Sequence, residues 1–163
     1  MRLYLNTATG KILTDPLSGE ELSTLKLMRQ RITSVEVVVI NTDGSVGKIA
    51  ANAGKVGAVR IMVGEKGKFD QVAFVAVTTS TYSPTLNGKD FRGYLLTVTP
   101  DSSALTTALG IDGSDPADDV TSIDCYAVIE VSRDYDAGDP STATWQNIGG
   151  LYPATISANL KAS

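Results

Sequence analysis

Apolar residues recur along this chain mostly at every second position, the period of strands whose alternate side chains face a core. Thr33 to Ile40 shows it best, with Val35, Val37 and Val39 on one side and Ser34 and Glu36 on the other. Arg2 to Leu5 and Lys11 to Leu13 flank the turn Asn6-Thr7-Ala8-Thr9-Gly10 and read as a hairpin at residues 1–13. Asp15-Pro16 and Ser18-Gly19 break the chain after it, so the hairpin is expected to stand off the body as an interaction arm. Leu22 to Met28 alternates again. Asn41-Thr42-Asp43-Gly44 is a hairpin turn, because Asp-Gly tolerates the positive φ such turns require.

Further strands are expected at Ser45 to Ala51, where Gly47 weakens the pattern, and around Val59, Ile61 and Val63. Val72 to Thr78 is apolar on both faces and reads as a central strand. Phe91 to Val98 follows a turn-rich connection from Thr79 to Lys89. Asp101 is a fit N-cap for a short helix at about 102–109, with Ala104, Leu105, Ala108 and Leu109 as its stripe and Gly110 as its stop. Ile123 to Val131, Thr142 to Ile148 and Ala154 to Leu160 complete the set. The expected fold is all-β: an antiparallel β-sandwich of about 8–10 strands with one short α-helix. No shift in composition divides residues 1–163, so one domain is expected.

A chain of 163 residues buries roughly 70% of its unfolded surface, enough for a core without disulfides or metal. The single cysteine, Cys125, lies in the apolar run from Ile123 to Ile129 and is expected to be a core thiol. There is no basic-then-apolar leader at the start and no apolar stretch of membrane-spanning length, which points to a protein made in a cytoplasm. Residues 1–70 carry ten Lys/Arg against seven Asp/Glu, a balance of +3. Residues 71–163 carry four against eleven, a balance of −7. The acidic half argues against nucleic acid, whose binding rests on many basic contacts to phosphate. If the two halves form different faces, copies would attract one another head to tail.

The chain contains no histidine. That removes Ser-His-Asp and Cys-His catalysis and most zinc sites. Asp112, Asp115, Asp118 and Asp119 lie in one acidic loop and could offer oxygens to calcium, although their spacing is not that of an EF-hand and Pro116 limits how the loop wraps. Asp134, Asp136 and Asp139, with Gly138, make the same offer; a solvated acidic loop is the simpler reading of both, and no cofactor is expected. Glu36, Asp124 and Glu130 lie within strands, and nothing in the pattern brings two together for glycosidase chemistry. Tyr82, Tyr94, Tyr126, Tyr135, Tyr152 and Trp145 could build a sugar platform. Core packing accounts better for most of them, and least securely for Trp145 and Tyr135.

Three features in order carry a family resemblance. They are the opening Leu3-Tyr4-Leu5-Asn6…Gly10-Lys11-Ile12-Leu13, then Leu25-Lys26-Leu27-Met28-Arg29 before the valine-rich strand and its Asp43-Gly44 turn, and last the Ala/Leu segment near Ser103 to Leu109 before a strand ending in Glu130-Val131. The arrangement resembles the N-terminal β-sandwich domain of phage baseplate upper proteins and related small tail proteins. Where such domains carry an Arg-Gly-Asp-type turn, this chain has Arg29-Gln30-Arg31. The resemblance implies a structural, non-enzymatic protein of a tailed-phage virion, at the tail tip, baseplate or fibre attachment region, assembled in the host cytoplasm. Its partners would be other virion proteins, with copies of the chain in a symmetric ring and no nucleic acid or membrane. The expected interface residues are Leu3, Tyr4, Leu5, Ile12, Leu13, Tyr152, Ile156 and Leu160. The alternatives are a carbohydrate-binding module for a host cell-surface glycan, which should expose several aromatics on one face, and a head decoration protein.

Overall fold

The computed structural model describes residues 1–28, 32–41, 43–65, 72–86, 88–98 and 122–157. The expected helix at about 102–109 lies outside them, as do Asp112, Asp115, Asp118, Asp119 and Leu160. Among the described residues thirteen strands follow in chain order: β1 (Arg2–Asn6), β2 (Lys11–Asp15), β3 (Glu20–Glu21), β4 (Leu25–Met28), β5 (Thr33–Ile40), β6 (Val56–Glu65), β7 (Val72–Thr78), β8 (Thr81–Tyr82), β9 (Thr85–Leu86), β10 (Lys89–Asp90), β11 (Arg92–Val98), β12 (Ser122–Tyr135) and β13 (Gln146–Ser157). A 3-10 turn spans Pro140–Thr142.

The strands form two principal sheets. One has the order β3-β2-β1-β5-β11-β8 and the other β4-β13-β12-β6-β7, while β9 and β10 make a small ribbon. The all-β sandwich read from the sequence is the observed architecture. Most pairings are antiparallel, but β1 runs parallel to β5 and β4 parallel to β13. A two-residue period is common to both kinds of pairing, so alternation alone does not distinguish them.

Inward residues of both sheets make one core. Leu3, Leu5, Val35, Val37, Val39, Tyr94 and Leu96 come from the first sheet, and Ile61, Val63, Ala127, Ile129 and Ile156 from the second. Cys125 is buried among them, as the apolar run implies. A second cluster sits on the other side of the first sheet: Tyr4, Leu13, Val38, Ile40 and Phe91, with Leu86 of the ribbon packed against it. It explains why β5 is apolar on both faces at its C-terminal end.

Four local expectations change. The segment after the Asn41–Ser45 turn is no strand; a single bridge joins Ile40 to Val46. Gly47 is pressed there against the Ile40 backbone, where an added Cβ would lie 2.8 Å from the carbonyl carbon. The two expected closing strands are one, β13, interrupted by a bulge: Ile148 and Tyr152 pair with Ile129 and Ala127, leaving Gly149, Gly150 and Leu151 opposite Val128. The two glycines, at φ 79° and 85°, let the chain fold out and return to the same ladder. Among the described strands the Val72 to Thr78 segment stands at the end of its sheet and not in its middle. Finally, among the described residues both halves of the chain contribute strands to both sheets, so their described charges are interleaved. Lys55–Asp136 and Arg60–Glu130 pair one half with the other.

Candidate interaction surfaces

The described residues of the sequence-predicted interface are inside the molecule. Leu3, Leu5, Ile12, Tyr152 and Ile156 belong to the main core, and Tyr4 and Leu13 to the second cluster. The reason is the place of the N-terminal hairpin. Strand β1 lies between β2 and β5, with Leu3 opposite Val37 and Leu5 opposite Val39, and the Glu36 N–H donates to the Met1 carbonyl at 2.8 Å. The turn residues at Asp15 to Gly19 lead from β2 into β3 of the same sheet and do not free an arm.

The second acidic loop is already occupied by its own protein. Asp134 accepts hydrogen bonds from the Thr144 N–H and the Ser132 hydroxyl, both at 2.8 Å, and these hold its carboxyl below the usual range. Asp136 pairs with Lys55 at 2.7 Å and accepts from the Gly138 N–H; Lys55 foremost lowers its pKa. Asp139 accepts from the Ser141 hydroxyl. Among the described residues no three His, Cys, Asp or Glu side chains are placed to hold a metal ion. The strand carboxylates stay apart as well. Glu36 pairs with Arg2, and Glu130 with Arg60. Asp124 and Glu130 lie six residues apart on β12, roughly 20 Å at about 3.3 Å per residue, well beyond a glycosidase pair.

Trp145 and Tyr135 do meet, edge to face, with ring centroids 5.9 Å apart. One face of the indole is covered by the Arg60 guanidinium, 4.2 Å from its centroid. That cation–π stack joins the Arg60–Glu130 pair on the outer face of the second sheet. One indole face is therefore taken, and neither ring lines the nearby cleft. That cleft, about 250 Å³, is formed by Asn52, Val131, Arg133, Asp134, Thr144 and Gln146.

On the outer face of the first sheet, Arg2 and Glu36 pair at 2.7 Å, and the pairing lowers the Glu36 pKa. The Tyr82 ring lies over Gly93, where an added Cβ would stand 2.4 Å from Cε1. The Tyr82 hydroxyl is buried without a hydrogen bond of acceptable geometry. Burial, with the Glu36 carboxylate beside it, pushes the phenol up to about 12. A buried hydroxyl with no partner costs stability. Tyr82→Phe is therefore expected to be neutral or to stabilise the fold by up to about 1 kcal/mol. Urea unfolding of the variant beside the wild type measures this, and a loss above about 1 kcal/mol would show that the hydroxyl has a working partner.

Among the described residues, an exposed apolar surface lies on β7, which ends its sheet. The other sheet edges are short or charged: β3 is Glu20-Glu21, β8 has two residues, and β4 carries Lys26. Such features discourage pairing with another chain. Strand β7 has seven residues with neither a charge nor a proline. Val75 and Val77 on its outer side are 48% and 43% exposed. Val75 pairs with Met62, and Met62 with Val128, so an apolar row crosses three strands and ends at this edge. The signal was present in the sequence, as a segment with central-strand composition, but nothing local shows where in a sheet such a strand falls.

No protein-family model matches the chain, and no curated protein sequence matches it. Among solved structures it is similar to the N-terminal domain of phage TP901-1 ORF48, at 10% identity and a TM-score of 0.30, over 97% of this chain and 96% of that one. At that distance neither fold nor function passes from one chain to the other.

Proposed function

We propose that this chain is a structural protein of a tailed-phage virion that works through protein–protein contacts at the tail tip, baseplate or fibre attachment region. The observation that carries the assembly part is the outer face of β7, where Val75 and Val77 stand exposed at the end of an apolar row that crosses the second sheet. The polar groups support the same reading. Arg2, Lys55 and Arg60 are held in internal ion pairs, and the carboxylates of Glu36, Asp134, Asp136 and Glu130 serve the protein's own donors. The phage part rests on the ordered motifs from Leu3 to Val131. Its partners are other virion proteins met in the host cytoplasm during assembly. A glycan-binding role has less support, because Trp145 carries Arg60 on one face.

Mass spectrometry of purified virions, separated into heads and tails, tests this reading. The chain is expected in the tail fraction at stoichiometric copy number. Recovery with heads alone would replace the tail role with decoration of the capsid, and absence from both fractions would overturn the structural role.

A further inference from the structure

We propose that the cleft at the C-terminal end of β12 binds a single neutral sugar ring. The inference goes beyond the reading of the chain as an assembly protein and does not depend on it. Local irregularities build the cleft. Val131 and Gln146 form the last rung between β12 and β13. Past it, the ladder between β12 and β6 slips, from Ser132 opposite Ala58 to Tyr135 opposite Val56, so Arg133 and Asp134 share a bulge. A bulge re-aims the side chains it carries. Hydrogen bonds then pin both walls of the cleft to it. The Asn52 N–H donates to the Arg133 carbonyl at 2.8 Å, and the Thr144 N–H donates to the Asp134 carboxylate at 2.8 Å. The walls are therefore ordered before a ligand arrives, which lowers the cost of binding one.

The lining selects the ligand. Among the described residues, the side chains of Asn52, Arg133 and Gln146 have no partner within the protein, so two amides and a guanidinium line the cleft with unspent hydrogen-bonding groups. Arg133 brings a positive charge and Asp134 a negative one to the same cleft. An anion drawn to the first meets the second, and a cation meets the reverse, so neither is favoured. A neutral sugar suits this lining. Its hydroxyls both donate and accept, as the amides and the Thr144 hydroxyl do, while Val131, 5% exposed, meets the C–H side of the ring. At about 250 Å³ the cleft is smaller than the roughly 300–1,000 Å³ sites of drug-sized ligands, which leaves room for one ring. Neither Trp145 nor Tyr135 lines it, so the cover that Arg60 gives the indole leaves this site free.

Titration of the isotope-labelled chain with glucose, galactose or mannose, followed by NMR, tests the proposal. At least one of them is expected to shift the side-chain amides of Asn52 and Gln146 and the backbone amides of Arg133 and Thr144 saturably, with a millimolar Kd, as befits so small a site. Asn52→Ala and Arg133→Gln are each expected to weaken binding about tenfold. Neither should change the melting temperature, because both residues are exposed. Sodium acetate, methylammonium and N-methylacetamide probe the cleft for an anion, a cation and a peptide amide, and each is expected to bind more weakly than the sugar. No saturable shift with any of the sugars, tighter binding of one of those small probes, or sugar binding that survives Asn52→Ala combined with Arg133→Gln would overturn the proposal. These results do not bear on virion fractionation: a chain without a sugar site can still be found in tails, and a sugar-binding chain absent from virions sinks only the assembly reading.

Discussion

Deletion of residues 1–13 is expected to leave a chain with no cooperative thermal transition. Leu3, Leu5 and Ile12 are essentially inaccessible and Leu13 nearly so. Burying a side chain of this kind contributes about 1.5–3 kcal/mol, so the four together supply on the order of 6–12 kcal/mol. The whole fold of a domain is stable by only about 5–15 kcal/mol. The deletion also strips β5 of its parallel partner along five register pairs, from Arg2–Glu36 to Asn6–Ile40, and leaves backbone groups unpaired in the middle of a sheet. A milder form of the test is Leu5→Ala, expected to cost about 2–5 kcal/mol through lost burial and the cavity it leaves. Calorimetry of both variants decides the matter. A truncated chain that stays soluble and melts cooperatively would return the hairpin to the role of an arm.

Gly149→Ala is expected to destabilise the protein by about 3–4 kcal/mol, and its neighbour Gly150→Ala by only about 1–2 kcal/mol. Both glycines sit in the left-handed region, at φ 79° and 85°, and both substitutions meet that backbone cost. They differ in their surroundings. A Cβ on Gly149 would lie 1.8 Å from the Tyr152 hydroxyl oxygen and 2.7 Å from the Gly10 carbonyl oxygen, while nothing stands within 4 Å of one on Gly150. The Tyr152 ring end has some freedom, but Gly10 is backbone in the turn between β1 and β2, so relieving the contact shifts that hairpin away from β13. At about 2–4 °C per kcal/mol for a chain of this length, the melting temperature should fall by about 10 °C in the first variant and about 4 °C in the second. Equal losses would show that the bulge does not press on the N-terminal hairpin.

Much of this fold is legible in the sequence, and the parts that are not share a cause. Strand β5 was expected and is observed at Thr33–Ile40; β11 and the body of β12 also fall where alternation placed them. The burial of Cys125 and of Val35, Val37 and Val39 followed from the same pattern. These are properties of a single strand, in which the pleat sends successive side chains to opposite faces whatever lies alongside. The Gly149-Gly150 pair reads locally as a break, yet the chain after the bulge returns to the same partner, β12.

The candidate surface depended on what lay alongside. Alternation marked Leu3, Leu5, Ile12, Tyr152 and Ile156 as apolar and therefore as available, and each has an internal neighbour instead. It marked Val72 to Thr78 as central, and among the described strands it stands at the end of its sheet. The sequence by itself determined the all-β class, the main strands, which of their residues face inward, and the absence of histidine chemistry. Tertiary structure alone decided which strands pair in parallel, that the N-terminal hairpin is core, and that β7 ends its sheet among the described strands. The physical reason is separation along the chain. Glu36 meets Arg2, Glu130 meets Arg60 and Asp136 meets Lys55 across 34, 70 and 81 residues. A two-residue period carries no information about which strand arrives from that distance, or about whether one arrives at all.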